Sequence, residues 1–167
     1  MLQCDTSLNV EKLYISISRD YRVSIGQLLA ANPSITNMNV IYVSQTINIP
    51  GLPEPATIPY RIVISKRNKT LQLFRNNTLI KTYPIAVGKM LNETPVGTFV
   101  VVNRQPNPGG PFGAMWLSLS KAGYGIHGTN NPASIGQAVS LGCVRMHNQD
   151  VLELAKQILN GTSVTIQ

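Results

Sequence analysis

Two residues in the last third of the chain could carry out covalent chemistry together: His127, in His127-Gly128-Thr129, and Cys143, in Ser140-Leu141-Gly142-Cys143. An unperturbed thiol has a pKa of about 8.5 and is mostly protonated at neutral pH, so a nucleophilic cysteine needs a base or a positive neighbour. A histidine within hydrogen-bond reach supplies the base and, once protonated, a stabilising charge. Gly142 removes a side chain beside the thiol. A carbonyl can then approach, and the N–H groups around Gly142 and Cys143 can point at a developing oxyanion. Arg145, two residues further on, adds positive potential or anchors a carboxylate. The same residues also have a plain structural reading, since a lone Cys is most often a small buried hydrophobe and a lone His a structural one. A metal site built from His127, Cys143 and His147 has neither a helical i, i+4 pair nor a C-x-x-C spacing to support it, so no metal is expected.

The frame that must hold these residues is modest. Of 167 residues, 43% are apolar and 13% charged, enough to bury a core and too little charge for sustained disorder. Fourteen Lys and Arg against seven Asp and Glu give a net charge of +7. That balance favours an anionic partner such as nucleic acid, an anionic membrane surface or a wall polymer, or it is simply a solvated basic surface. The cations are scattered, with no run longer than Lys66-Arg67, so no nucleic-acid partner is expected. Cys4 and Cys143 do not make a disulfide scaffold. The first residues lack a cationic start followed by an apolar run, so no signal peptide is visible and the sequence does not show an export route. No apolar stretch approaches the roughly 18 residues that a membrane span needs.

Four prolines within Ile49–Pro59 divide the chain into a module at 1–50, a stiff extended linker at 51–57 and a larger domain at 58–167. In the first module, Ser24 caps a helix running to Ala31, a shorter helix falls around Ile15–Tyr21, and Val40–Ile49 alternates as a strand. After the linker the rhythm changes to short strands at Arg61–Ser65, Thr70–Phe74, Thr78–Tyr83 and Thr98–Asn103, then an irregular loop at Pro106–Gly113. Asn148 caps a helix with Val151, Leu154, Ala155 and Ile158 on one face, Asn160-Gly161 closes it, and Ser163–Gln167 is a final strand. The expected fold is mainly β, a sandwich or barrel with one C-terminal helix, preceded by a small α+β module.

The block HGTN…SLGCVRMHN closely resembles the active-site signature of the YkuD-type L,D-transpeptidases, in which His-Gly precedes Ser-x-Gly-Cys-hydrophobic-Arg-hydrophobic-x-Asn. The likeness extends to Thr94-Pro95-Val96-Gly97 and the PGGPFG loop, and covers nearly all of 58–167. The stretch YRVSIGQLLAANPSI followed by QTINIPG resembles the second half of a LysM glycan-binding module. Its opening departs from that pattern, because Val10-Glu11-Lys12-Leu13 stands where a Gly-Asp-Thr-Leu turn is usual, so residues 1–50 alone are expected to bind wall glycan weakly.

The resemblance implies that Cys143 is the nucleophile and His127 the base, oriented by a main-chain carbonyl near Gly128. No Asp or Glu lies between Glu93 and Asp150 to do that job. It also implies an oxyanion hole at Gly142 and Cys143, with Arg145, Ser140, Gly128 and Trp116 contacting substrate or framework. For Trp116 the alternative is plain packing. Leu141 occupies a place where relatives often carry His, which removes a secondary polar contact. Asn148 reads as a helix cap, Met146 as core and His147 as a surface residue. The implied reaction is acyl transfer between peptidoglycan stem peptides. Cys143 attacks the carbonyl before a terminal D-alanine, and an amine then takes the acyl group to give a 3→3 cross-link, with no metal or organic cofactor. The implied partners are stem peptides, wall glycan and carbapenem-type covalent inhibitors, met by a monomer at a bacterial cell wall or spore wall. Two rivals stand beside it: an L,D-carboxypeptidase that keeps the same residues with water as acceptor, and, from another class, a non-catalytic wall-binding protein held by its LysM half.

Overall fold

The computed structural model describes residues 10–37, 45–89 and 93–167. The chain divides into two compact units, Met1–Leu52 and Pro53–Gln167.

In the first unit, α1 spans Val10–Tyr21 and α2 spans Ile25–Ala30. Ser24 Oγ accepts the Gln27 N–H at 3.1 Å and Gln27 Oε1 accepts the Ser24 N–H at 2.9 Å, a reciprocal capping box that starts α2. Among the described residues of this unit, Tyr14, Ile17 and Leu28 are the buried apolar side chains. Helix α1 starts well before Ile15, so Val10-Glu11-Lys12-Leu13 is helical. The Asn32 amide donates to the carbonyls of Leu28 and Asn48 at 2.6 and 2.8 Å and accepts the Asn48 N–H at 2.8 Å. One side chain thus satisfies main-chain groups that a strand neighbour would otherwise pair. Gln45–Ile49 is not a strand. The rest of the strand expected over Val40–Ile49, and the opening strand of the LysM pattern, lie outside the described residues.

The proline-rich segment does not run extended throughout, because Pro55–Thr57 closes into a 3₁₀ turn. Beyond it the second unit consists of β1 (Tyr60–Ser65), β2 (Thr70–Arg75), β3 (Thr78–Pro84), β4 (Val87–Gly88), β5 (Gly97–Pro106), β6 (Met115–Leu119), β7 (Gly125–His127), β8 (Ala138–Ser140), β9 (Val144–Arg145), α3 (Asn148–Gln157) and β10 (Ser163–Ile166). Eight strands form one mixed sheet in the order β3-β2-β1-β10-β5-β6-β7-β9, and β4 pairs with β8 separately. Asn76 and Asn77, with φ of 47° and 66°, form the two-residue turn between β2 and β3, as the right-handed twist of a hairpin favours.

The sheet runs from β3 to β9 and curls over its core as a half-barrel, in line with the mainly β, sandwich-or-barrel fold expected from the sequence. That core is one cluster, including Ile62, Ile64, Leu71, Leu73, Leu117, Ile126, Val144, Val151, Leu154 and Val164. Helix α3 packs against β6 and β7. Arg104 of β5 donates to the carbonyls of Ala155 and Ile158 at 3.2 and 3.0 Å, satisfying groups that the C-terminus of α3 leaves open.

Candidate active site

Strand β7 is short, buried and ends on His127, while β9 runs parallel to it with Ile126 opposite Val144 and His127 opposite Arg145. Side chains two residues apart on a strand share a side, so Arg145 faces the His127 side, and Cys143, just before β9, belongs there too. The topology therefore brings His127, Cys143 and Arg145 to one end and one face of the sheet. On the other side of β9, Arg145 pairs with Ala86, each N–H donating to the other's carbonyl at 2.9 Å.

His127 is 3% exposed. Its ring stacks on Trp116, with centroids 5.2 Å apart and planes 16° from parallel, and Phe112 meets both rings edge-on at 5.3 and 5.0 Å. Trp116 Nε1 donates to Ser118 Oγ at 2.8 Å, so its polar end is satisfied by its own strand. Trp116 therefore supports the imidazole. His127 Nδ1 lies 2.5 Å from the Gly128 carbonyl, a group that only accepts, so the proton sits on Nδ1 and Nε2 keeps its lone pair. Gly128 is thus the main-chain orienter. Its N–H is also taken, by the Met115 carbonyl at 3.0 Å.

The thiol sits on a turn held by Ser140. Ser140 Oγ donates to the Cys143 carbonyl at 2.5 Å and accepts the Gly142 N–H at 3.2 Å, and Ser140 is buried. Both bonds stay within the turn itself, in keeping with the framework alternative for Ser140. The Gly142 N–H is thereby taken. Gly142 adopts φ +106°, and a Cβ there would meet the Tyr124 ring at 2.8 Å, so only glycine fits. The Cys143 thiol donates weakly to the Gly123 carbonyl at 3.6 Å. The Gly123-Tyr124-Gly125 loop therefore touches both the nucleophile candidate and its turn, which its sequence did not signal.

Burial sets the protonation states. Desolvation pushes the Cys143 thiol above its ordinary value, opposed by a backbone hydrogen bond from Gly125 and by the Arg145 charge. Desolvation also lowers His127 to about 4, with the Gly128 hydrogen bond opposing and Arg145 adding to the shift. Both groups are therefore neutral at rest near pH 7, not the preformed thiolate and imidazolium that the sequence chemistry allows. Arg145 favours the thiolate and disfavours the imidazolium. Its own Nε is buried without a hydrogen-bond partner among the described residues.

Asn148 is not a helix cap. His147 occupies that position, and Asn148 is the first residue of α3. The Asn148 amide instead reaches the main chain of Ala114 and Thr129. A cleft of about 480 Å³ lies beside it, lined by Thr129, Asn130, His147 and Asp150 among others. Leu141 is 72% exposed beside the thiol turn. Met146 is core.

The sheet carries at one end a glycine-flanked cysteine turn and a histidine oriented by the main chain, and its sequence and fold place it in the L,D-transpeptidase class. Residues 59–166 match the model of the L,D-transpeptidase catalytic domain, YkuD, and residues 14–50 that of the LysM domain. The chain belongs to the YkuD family of L,D-transpeptidases. It is 63% identical over 151 residues to the Bacillus subtilis protein named L,D-transpeptidase YkuD, covering 90% of this chain and 91% of that one. It is 62% identical to the Bacillus licheniformis protein of the same name over the same shares. Among solved structures, an L,D-transpeptidase from Mycobacterium smegmatis superposes with TM-score 0.60 at 18% identity, over 66% of this chain and 59% of that one. The catalytic domain of an E. faecium L,D-transpeptidase gives 0.58 at 22%, over 65% and 96%. At those identities the likeness establishes the fold, and the chain spans about three-fifths of the mycobacterial protein.

Proposed function

We propose that the chain forms 3→3 peptidoglycan cross-links through Cys143. His127 Nε2 takes the thiol proton as sulfur attacks the carbonyl between the third stem residue and terminal D-alanine. The C–N bond then breaks, the imidazolium returns the proton to the leaving amine, and a thioester remains on Cys143. The acceptor stem's amine attacks that thioester, and His127 removes its proton as the thiolate leaves. The Cys143 N–H donates to the oxyanion, and Arg145, whose Nε has no partner among the described residues, takes the stem carboxylate. The observation that carries this reading is the fixed tautomer of His127, with Nδ1 held by Gly128 and Nε2 left as base on the side of the sheet to which Cys143 belongs.

The proposed location is the cell wall or spore wall, and the LysM match supports wall association through glycan. Carbapenems are proposed as covalent inhibitors. A Mycobacterium tuberculosis L,D-transpeptidase 3 structure holds a faropenem-derived adduct, and another L,D-transpeptidase structure holds imipenem.

Mass spectrometry of purified muropeptides incubated with the protein tests the reaction. Dimers linked 3→3 are expected, and none with Cys143→Ala. Tripeptide monomers alone would show that water is the acceptor. A carbapenem should add one drug mass to wild type and to Cys4→Ala but none to Cys143→Ala, and an adduct lost with Cys4 instead would reassign the nucleophile.

A further inference from the structure

Strands β6 and β7 pair from Ser118–Gly125 to Trp116–His127, and the Gly128 N–H adds one bond to the Met115 carbonyl at 3.0 Å. The next rung would join Ala114 to Thr129. The Asn148 side chain fills that place. Its Oδ1 accepts the N–H groups of Ala114 and Thr129 at 3.0 and 3.1 Å, and its Nδ2 donates to the Thr129 carbonyl at 3.1 Å. Both lone pairs of the amide oxygen are used. The site is shaped for this group, because a Cβ at either Gly113 or Gly128 would collide with Asn148 Oδ1. Two glycines from different segments thus clear space for one amide.

What the amide holds is the frame of the Gly128 peptide. Thr129 directly follows Gly128, and Ala114 precedes the Met115 carbonyl that Gly128 bonds, so fixing both fixes the Gly128 carbonyl that receives His127 Nδ1–H. We infer that Asn148 is a positioning residue for catalysis, bridging Ala114 and Thr129 so that the Gly128 carbonyl locks His127 in the tautomer whose Nε2 is the base. A cap on α3 would have no such reach. The inference rests on the proposed role of His127, but its main readout needs no substrate.

The test uses the full chain carrying Asn148→Ala, Asn148→Asp or, as a control on the same turn of α3, Gln149→Ala. Imidazole nitrogen chemical shifts of His127, kcat and KM on muropeptides, and the unfolding midpoint are measured for each. In Asn148→Ala the Nδ1–H signature should give way to averaged tautomers, and kcat should fall roughly tenfold to a hundredfold with KM nearly unchanged, a part of what a positioned base contributes. Asn148→Asp keeps the two acceptor bonds and should recover part of kcat, and Gln149→Ala should match wild type. Wild-type tautomer and kcat in Asn148→Ala would overturn the inference, as would a fall in kcat without a change at the imidazole nitrogens or an equal loss in Gln149→Ala. If Asn148→Ala does not fold, the same two readouts on Asn148→Asp decide. A His127→Ala variant with wild-type turnover would instead sink the base assignment, whatever Asn148 does.

Discussion

The Ser140 hydroxyl lies 2.5 Å from the Cys143 carbonyl and receives the Gly142 N–H at 3.2 Å, so a single buried oxygen closes the turn that presents the thiol. Ser140→Ala strands an N–H and a C=O that water reaches poorly, at a cost of about 1–3 kcal/mol. The unfolding midpoint should drop by several degrees and kcat by about tenfold or more, since small displacements of a nucleophile are costly. A variant with wild-type kcat would show that the turn holds its shape without the hydroxyl.

Gly142 stands at the apex of the same turn. An alanine there must adopt φ +106° and place its methyl 2.8 Å from the Tyr124 ring. Strain of about 1–3 kcal/mol, with a displaced Tyr124, is expected of Gly142→Ala. Carbapenem acylation should slow at least tenfold, read by intact mass against time. A wild-type acylation rate in a folded variant would contradict the close packing of Tyr124 on this turn.

Neutral ground states at His127 and Cys143 fix the pH response. A base must be unprotonated, so the acid limb of kcat/KM should fall near pH 4, where burial has pushed His127, rather than near 6.5. Titration of the His127 ring by NMR in the free protein should give the same midpoint without interference from substrate carboxylates. Alkylation of Cys143 should rise with pH through a midpoint above that of an ordinary thiol, because burial disfavours the thiolate more than Gly125 and Arg145 favour it. Rapid alkylation that is flat between pH 6 and 8 would instead mean a preformed ion pair.

How far the sequence discloses this site depends on the reach of each signal. His127 and Cys143 stand out because histidine, thiol and glycines lie within one short block, strands β1 and β2 because they alternate, and β3 and β5 because they are apolar runs bounded by turn residues. Strands β7, β8 and β9 have two or three residues each, interrupted by Gly and Asn, and too short a run has no period to read. Asn148 looks like a cap because Asn before an apolar helical face is what a cap looks like locally. Its partners, Ala114 and Thr129, are 34 and 19 residues away, and no local rule places them. Ser140 presents the same problem on a smaller scale. Its type suggests a hydrogen bond, and only the positive φ of Gly142 folds the turn so that the bond is made to Cys143.

The low pKa of His127 also predicts how stability depends on pH. Between pH 6.5 and about 4 the unfolded chain binds a proton at His127 that the folded chain rejects, so the unfolded state gains and stability falls as pH falls through that window. The full shift corresponds to about 3 kcal/mol at 1.36 kcal/mol per unit, an order-of-magnitude figure. Burial against Trp116 and Phe112 is the larger cause, and the Gly128 hydrogen bond offsets part of it. Other titrating groups contribute to the slope as well, but they do so equally in a variant that lacks only this ring. Denaturant midpoints of wild type and His127→Ala at pH 7, 5.5 and 4.5 therefore isolate the effect. The variant should be less stable at pH 7 because of the cavity left by the ring, and the gap should narrow by about 2–3 kcal/mol toward pH 4.5. Parallel pH curves would mean that His127 can be protonated in place, with its imidazole reaching water or turning away from Gly128.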